Sequence, residues 1–364
     1  MHSKRTTSRI AGMVLGASLA ITFPGLAQIV DGDFSRFLMP TDTEEEYWPR
    51  HFRVGAFVGL NIKANFSMSG TFKFSQNNPG ATGSGGVDRI YDDGYVRVDA
   101  NGTADNSTWN WGYQNPGQTN TPQQLLFHAA DSYTASGNAA VSGDAQVGFE
   151  TTYGGQMTRW GSALVGWEFG FGFLPINIKD DRTITGVSAT QITHSFDASG
   201  IVIPDAPYAG TYNGPGALIS DVAQFVSGNT YNDRTLTGER KLDVNLYSFR
   251  LGPTFQWEFH PRFALAVSGG AAVGIVSGQL KFNEAVRFPD GSTAVNVGSY
   301  SSTELTYGGY LSAALLFHAV KNGDFYIGAQ YMPMSNATFS GGGREATLDL
   351  TGSLYLSVGI NWPF

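Results

Sequence analysis

The stretch that decides the fold is ALVGWEFGFGF, residues 163–173, in which large apolar side chains alternate with small or polar ones. Successive side chains of an extended strand point to opposite faces. One face would carry a valine, a tryptophan and three phenylalanines, and the other would be mainly glycine, with Glu168. The pattern predicts a β-strand with one continuous apolar surface.

The same alternation recurs in seven other segments of the chain. They cover residues 51–63, 145–157, 240–259, 262–282, 303–318, 324–334 and 348–364. Each is at least as long as the 9–11 residues that a tilted strand needs to cross a bilayer. In the first and last segments, Ile62, Leu348 and Leu350 fall on the apolar face. After residue 27, no stretch has the roughly 18 consecutive apolar residues of a membrane helix.

The composition of the two faces indicates which one points inward. One face is apolar and aromatic, whereas the other is mostly glycine, serine and threonine with a few charges. The chain holds 47 glycines in 364 residues, well above the usual ~7%. Small side chains fit the crowded interior of a narrow barrel, whereas a soluble sandwich buries its large apolar side chains between two sheets. The pattern therefore predicts a barrel with its apolar face outward.

The connections between segments alternate in length. Short ones follow the second, fourth and sixth segments, and the Asn322-Gly323 dipeptide is a strong hairpin signal. Long ones cover about 67–144, 179–239, 283–302 and 335–346. This asymmetry is typical of transmembrane up-and-down antiparallel β-barrels, whose short turns are periplasmic and whose long loops are extracellular. We expect an all-β fold of eight strands, or of ten if residues 67–75 and 123–136 also pair within the membrane.

One residue interrupts the regular strand pattern. Pro253 lies inside the fourth segment and has no backbone N–H for the ladder. We therefore expect a β-bulge at Gly252-Pro253.

The N-terminus has the features of a secretory signal peptide. Lys4, Arg5 and Arg9 precede an apolar core at residues 10–23, and small residues lead to a cleavage site that we predict after Ala27. Residues 28–49 are expected to form a periplasmic segment, and residues 50–364 the barrel with its outer loops. Cleavage would reduce the 22 Lys and Arg residues to 19 against 30 Asp and Glu, a net charge of −11. This charge argues against nucleic acid as a partner, and the chain has no cysteine for disulfides.

The first long connection contains a predicted extra hairpin. In residues 91–113, valines alternate up to an Asn101-Gly102 turn, and aromatic residues alternate after it. We expect this hairpin to pack over the mouth of the barrel. Acidic and amide residues in the turn, at positions 99–105, could suggest calcium, but they lack the glycine and the closing glutamate of an EF-hand loop. They are more simply turn formers, so no metal is predicted.

The C-terminal segment resembles a known sorting signal. In SVGINWPF, the relevant residues are Ser357, Gly359, Trp362 and Phe364. They resemble the signal by which Gram-negative outer-membrane barrels are selected for insertion. The strand count is similar to that of outer membrane protein A-type and opacity-type barrels. The resemblance implies an outer-membrane location, with outer-membrane lipid and the barrel-assembly machinery as partners, and a monomeric barrel.

The polar face contains charged residues that would lie inside a barrel. They are three cations and three anions: Arg53, Lys63, Glu150, Glu168, Arg250 and Glu258. Buried charges are tolerated when they are paired and hydrogen-bonded. We therefore expect a salt-bridge network that plugs the lumen, and the alternative is a small gated pore or transport barrel lined by charge.

A third alternative is a lipid-modifying enzyme of the outer membrane. Its histidine candidates are His194 beside Ser195, His260 before Pro261, and His318 between apolar residues. Turn or interface roles explain them better, and the chain has no phosphate-binding glycine loop and no metal-ligand motif. We expect no enzymatic activity and no cofactor. The favoured role is structural or adhesin-like, with the loops displayed to an extracellular ligand or surface.

Overall fold

The computed structural model describes residues 50–75, 86–102, 106–120, 123–320 and 323–364, without the side chains of residues 120 and 320. The predicted signal peptide and the periplasmic segment at 28–49 lie outside these ranges. Among the residues described, no helix has the length and apolar character needed to cross a membrane.

The described chain is almost wholly β-structure, with one 3-10 turn at Pro116–Gln118. The strands are β1 (Arg50–Leu60), β2 (Lys63–Lys73), β3 (Arg89–Tyr91), β4 (Gly94–Val96), β5 (Ser107–Thr108), β6 (Trp111–Tyr113), β7 (Thr119–Asn120), β8 (Gln124–Ser142), β9 (Gln146–Trp160), β10 (Ala163–Asp180), β11 (Ile184–Asp197), β12 (Tyr208–Ala209), β13 (Ile219–Ser220), β14 (Phe225–His260), β15 (Phe263–Arg287), β16 (Thr293–Val320), β17 (Gly323–Tyr331), β18 (Ala337–Gly341), β19 (Arg344–Asp349) and β20 (Leu354–Pro363).

Part of the main antiparallel sheet closes on itself. Its members pair in the order β1, β9, β10, β14, β15, β16, β17 and β20, and β20 pairs again with β1. We call these eight strands the closed ring. The last pairing joins opposite ends of the described chain, with His51 opposite Pro363 and Leu60 opposite Leu354. The eight strands of the closed ring belong to a larger sheet of fourteen strands.

The sheet continues beyond one end of the ring. Strands β2, β8, β11, β18 and β19 join the far parts of β14, β15 and β16 there. We call this part the extension. Residues 67–75 and 123–136, which a ten-stranded alternative would add to the ring, instead belong mainly to β2 and β8, which pair with each other in the extension.

Much of what the sequence predicts as outer loop is strand. β15 ends at Arg287 and β16 begins at Thr293, so most of the range 283–302 is paired. The range 335–346 likewise contains β18 and the start of β19. These predicted loop bounds are wrong because the sequence prediction identifies a strand by its apolar outward face. The strands of the extension have a polar outward face, so the prediction assigns them to loops.

The outward face of the ring is apolar. Exposed large side chains follow one another at alternate positions, for example Phe169, Leu251, Leu305 and Val358. Aromatic residues border the end of the ring where the short turns lie, including Trp160, Trp257, Phe263 and Phe317. The inward face of the ring is mainly glycine and polar residues.

The extension has the reverse arrangement. Its interior is an apolar cluster that includes Ile62, Phe66, Ile176, Leu348 and Leu350. In β10 the exchange occurs without any break in the strand: outward phenylalanines end at Phe173, and Asn177 and Lys179 follow on that side. On the inward side, Gly170 and Gly172 give way to leucine and isoleucine.

Two other places exchange the faces through a break in the strand. Asn61 has a positive φ of 58° between β1 and β2, and residues 350–353 separate β19 from β20. A left-handed residue inserted between two strands reverses which side chains point inward. For this reason the prediction that Ile62, Leu348 and Leu350 face outward is wrong, since all three are buried in the extension.

The bulge expected at Gly252-Pro253 is absent. The register of β14 is unchanged across it, with Leu251 opposite Ala271 and Thr254 opposite Ser268. In the ladder between β14 and β15, only the bridges of Gly252 and Pro253 to the facing Gly270 and Gly269 are missing. Glycines at these facing positions let the two backbones approach closely, so Pro253 fits without an extra residue.

A small separate sheet is formed by three strands of the first long connection and one strand of the second. β4 pairs with β6, placing Gly94 opposite Tyr113 and Val96 opposite Trp111, and β3 and β12 flank them. The predicted pairing within residues 91–113 is thereby confirmed. We call β3, β4, β6 and β12 the cap. Its buried side chains share one apolar cluster with Leu125, Phe127 and Ala129 of β8 and Phe196 of β11.

The reversal of the faces at 350–353 can be tested with two leucines of the last two strands. Leu348 is fully buried, whereas Leu356 is 47% exposed on the outward face of the ring. We expect Leu348→Ala to lower the free energy of unfolding by about 2–5 kcal/mol, because it leaves a cavity in a packed core. The measurement is urea unfolding of the refolded protein in detergent micelles. A larger loss for Leu356→Ala than for Leu348→Ala would contradict the described register.

Candidate functional site

Four of the charges that the sequence assigns to the lumen meet inside the closed ring. Arg53 Nη1 lies 3.2 Å from Glu168 Oε2, and Arg250 Nη1 lies 2.8 Å from Glu150 Oε2. Arg250 Nε is also 3.8 Å from Glu168 Oε1. All four side chains are nearly inaccessible to water. The two pairs therefore form one lumen network with equal numbers of positive and negative charges.

Neutral groups add further hydrogen bonds to this network. Ser268 donates to Glu168 at 3.1 Å, and the Tyr326 hydroxyl donates to Glu150 at 3.1 Å. Arg250 donates to Thr152, and Arg53 donates to Asn361. Gly170 leaves the space for Arg250, because a Cβ atom there would be 2.5 Å from Arg250 Nε. A buried ion pair requires this kind of additional bonding.

The other two predicted lumen charges are not in the network. Lys63 is exposed because it follows the reversal at Asn61 and so points outward. Glu258 is exposed at the end of β14, two residues before the turn to β15. Both assignments to the lumen are wrong.

The extension contains a second buried charge network that sequence reasoning missed. Glu284 is fully buried and accepts from Arg240 at 2.7 Å and from Arg344 at 2.7 Å. The Tyr133 hydroxyl donates to Glu284 and accepts from Arg344. Tyr133, Glu284 and Arg344 lie in ranges that the sequence analysis assigned to loops, and Arg240 is the first residue of the predicted fourth strand segment. Between the two networks the lumen is filled by apolar side chains such as Leu174, Leu246 and Met332.

A histidine and three aspartates meet where the cap contacts the extension. His128 Nδ1 is 2.6 Å from Asp93 Oδ2 and 3.7 Å from Asp290 Oδ2. The backbone N–H of His128 also donates to Asp93, and Gln191 donates to Asp290. Asp92 accepts from the Ala130 backbone at 2.6 Å. We call Asp92, Asp93, His128 and Asp290 the His128 cluster.

The surroundings shift the protonation equilibria of the His128 cluster. Burial alone would lower the pKa of His128, but the Asp93 hydrogen bond and the charges of Asp93, Asp290 and Asp92 raise it. Burial raises the pKa of Asp92 to about 6, against the opposing hydrogen bond from Ala130. The pKa of Asp290 is lowered despite burial, by hydrogen bonds from Ser292 and Gln191 and by the charge of His128.

The spacing of Asp93, His128 and Asp290 deserves comparison with a cation site, because their polar atoms all lie within 4.8 Å of one another. His128 Nδ1 and Asp93 Oδ2 are joined at 2.6 Å, a hydrogen-bond distance. The two atoms point at one another, so a shared proton fits between them. This geometry is that of a charge-assisted hydrogen bond.

The remaining sequence candidates have local partners. His318 Nδ1 is 2.7 Å from Asp324 Oδ1, and His260 Nδ1 accepts from the Arg262 backbone. His194 is buried with its ring 5.0 Å from that of Tyr91. Asp99 accepts from Thr108 and from the backbone of Trp109, so it fixes the turn within the cap region. Residues 103–105, which include Thr103 and Asp105 of the predicted turn, lie outside the described residues.

The four residues of the predicted C-terminal signal belong to β20 or follow it directly. Ser357 and Gly359 point into the ring opposite β1, while the Trp362 ring stacks on Phe52 at 6.5 Å. Phe364 exchanges two backbone hydrogen bonds with Arg50, each 2.8 Å long. The C-terminal residue is therefore fixed to the first ring strand.

The chain matches no protein-family model and no curated protein. It is similar to solved structures of outer-membrane β-barrel proteins. The outer membrane protease OmpT from Escherichia coli is 12% identical, with 89% of this chain and 100% of that chain covered and a TM-score of 0.33. Ail, the attachment invasion locus protein of Yersinia pestis, is 12% identical over 87% of this chain and 100% of its own, with a TM-score of 0.25. A FadL homologue of Pseudomonas aeruginosa is 10% identical over 86% of this chain and 90% of its own, with a TM-score of 0.18. At these values the likeness assigns neither an activity nor a ligand.

The lumen network should be a major source of stability. Glu168→Gln leaves Arg53 without its anionic partner in a buried site, and we expect a loss of about 3–5 kcal/mol in the free energy of unfolding. Glu258→Gln is the matched control, because Glu258 is exposed in the same barrel, and its effect should stay within about 0.5 kcal/mol. Denaturant unfolding in lipid vesicles measures both. Equal effects of the two substitutions would contradict the network.

Proposed function

We propose that the protein is an outer-membrane barrel that acts as a closed anchor and displays its extension and cap outside the cell. In this proposal the closed ring crosses the membrane with eight strands, and the role is structural or adhesin-like. The observation that supports it most directly is the inversion of polarity between the ring and the extension. An apolar exterior suits lipid, and a polar exterior over an apolar core suits water.

The height of the apolar exterior agrees with a membrane. On β15 it extends from Phe263 to Ile275. At about 3.3 Å per residue and a tilt of about 40°, these residues rise about 30 Å. This is about the thickness of the hydrocarbon core of a bilayer. Aromatic side chains at the turn end fit the interfacial girdle of such barrels.

The closed hydrogen-bond ladder supports the same proposal. In hydrocarbon, every backbone N–H and C=O group needs a partner within the protein, so a sheet can cross only if it has no free edge. The pairing of β1 with β20 removes the edge of the ring. The predicted signal peptide and the C-terminal segment add a route to the outer membrane, through export and the barrel-assembly machinery.

The filled lumen favours an anchor over the alternative of a gated pore. Along the barrel, a charged layer around Glu168 is followed by an apolar layer and then by a second charged layer around Glu284. Ions would have to pass all three. Opening one layer by substitution would still leave two others packed.

The surface available for interaction would then be the outer end. Residues 198–224 and the segment just before the cap present exposed apolar side chains between polar ones, including Val87, Val202, Tyr212 and Leu218. Binding residues are often displayed on connections held by a rigid scaffold. We propose that this end contacts an extracellular ligand or surface.

Membrane insertion of the ring can be tested with two arginine substitutions on one strand. Ala271 and Gln279 both point outward from β15, the first within the apolar exterior and the second beyond it. We expect Ala271→Arg to lower stability in lipid vesicles by about 2–4 kcal/mol, the cost of a cation near the bilayer midplane. Gln279→Arg, in a polar setting, should cost much less. Similar costs at the two positions would argue against a membrane-spanning ring.

Closure of the lumen can be tested by planar bilayer recordings. We expect no stable single-channel openings from the wild-type protein. Glu168→Gln should also stay closed, because the apolar layer and the Glu284 layer remain intact. Stable wild-type openings whose conductance changes in Glu168→Gln would support the pore instead. Circular dichroism of the same vesicles checks that both proteins are folded.

A further inference from the structure

The cap contacts the extension through a short polar junction as well as through apolar packing. The turn between β3 and β4 supplies Asp92 and Asp93, and both engage β8. The backbone N–H of Asp92 donates to the His128 carbonyl at 2.8 Å. In return, the His128 and Ala130 backbone N–H groups donate to Asp93 and Asp92 at 2.8 Å and 2.6 Å. Two consecutive aspartates thus make three hydrogen bonds to the backbone of His128 and Ala130 on one strand.

His128 links this junction to a third part of the chain. The Asp93 carboxylate of the cap and the Asp290 carboxylate of the turn between β15 and β16 both approach its Nδ1 atom, at 2.6 Å and 3.7 Å. A protonated imidazole attracts both carboxylates, whereas a neutral one leaves the second anion beside the Asp93 hydrogen bond without a compensating charge. The charge of one side chain therefore affects contacts among three chain segments.

We propose that the His128 cluster is a proton-controlled latch that holds the cap turn on the extension when His128 is charged and releases it when His128 is neutral. The release lifts the turn of residues 91–94 and uncovers Ala129 beneath it, while the rest of the apolar cluster around Phe127 keeps the cap attached to the barrel. The proposal concerns the outer end of the molecule and does not require that the ring spans a membrane.

The charged and titratable groups around His128 all come from identified elements. Asp92 and Asp93 face it from the β3–β4 turn, and Asp290 faces it from the β15–β16 turn. His194 approaches from β11, and Arg89 of β3 lies near His194. Anions therefore outnumber cations in the immediate surroundings, so the site favours an added proton.

The direction of the pH effect follows from the two shifted groups of the junction. A pKa of His128 raised in the folded state contributes stability that is complete below about pH 6.5 and is lost as pH rises through the raised value. Asp92, with its pKa raised to about 6, favours the docked turn when protonated, and that contribution is lost between about pH 4 and 6. Both groups weaken the latch as pH rises. Asp290, whose pKa is lowered, affects stability only at lower pH.

A buried residue beneath the cap can report the release. The chain has no cysteine, so a single introduced thiol is the sole site of labelling. Ala129 is 3% exposed and belongs to the cluster shared with the cap, and Ala135 is equally buried farther along β8, away from the cap. The experiment compares the labelling of Ala129→Cys and Ala135→Cys in full-length protein in lipid vesicles between pH 5.5 and 8.5. Each rate is divided by that of a cysteine-containing unstructured peptide at the same pH.

We expect the normalised rate for Ala129→Cys to rise on the order of tenfold across this range, the change that about one pKa unit of coupling supplies. The rate for Ala135→Cys should not change. Adding His128→Asn to Ala129→Cys should give rapid labelling at every pH. Adding Asp290→Asn instead, which leaves the cap turn intact, should shift the pH midpoint downward because one anion is lost.

Three outcomes would overturn the proposal. They are a pH-independent rate for Ala129→Cys, a pH dependence that survives His128→Asn, and a parallel increase for Ala135→Cys, which would indicate general loosening. Labelling at pH 5.5 that is accelerated by a chelator and slowed again by calcium would also overturn it, because a bound cation rather than a proton would then hold the junction.

Discussion

The closed backbone ladder is the constraint on which the rest of the structure depends. Eight ring strands pair in sequence, and β20 returns to β1, so no strand edge remains in the ring. Closure fixes the register of each strand against two neighbours. Because side chains alternate along a strand, a fixed register also decides which residues face the lumen and which face outward. The positions of Glu168 and Arg250 inside the barrel are consequences of this pairing rather than of their own attraction.

Apolar and polar side chains alternate along the strands of both the ring and the extension. The apolar side chains point outward in the ring and inward in the extension. β10 passes from one to the other without a break, and its outward side chains change from Phe173 to Asn177. The first and last strands of the ring need a local reversal instead, which Asn61 and residues 350–353 provide. The two faces of a single sheet can therefore exchange their apolar and polar character part of the way along the strands. Each strand must then change either its side-chain composition or the side to which its residues point, and all strands must do so at the same height in the barrel.

The alternation of apolar and small side chains predicts the strands of the ring, but it does not predict the strands of the extension. An apolar outward face identified Phe169 and Phe171, but in the extension the apolar residues are inside and the outward face resembles a polar loop. A positive φ at Asn61 leaves no trace in the periodic pattern, so the phase of Ile62 and Lys63 was wrong. Four of the six charges assigned to the lumen lie together inside the ring, because they belong to unbroken ring strands. The His128 cluster could not be predicted, since Asp93, His128 and Asp290 come together only through the fold.

The two kinds of charge in the molecule have different physical roles. In the lumen network, Arg53 and Arg250 each have an anionic partner within 4 Å, and both side chains are buried. Arginine stays protonated at all relevant pH values, so the cations of these pairs keep their charge. The His128 cluster differs because its cation is a histidine, which changes charge near neutral pH. Its position places an adjustable contact at the junction of the cap and the extension.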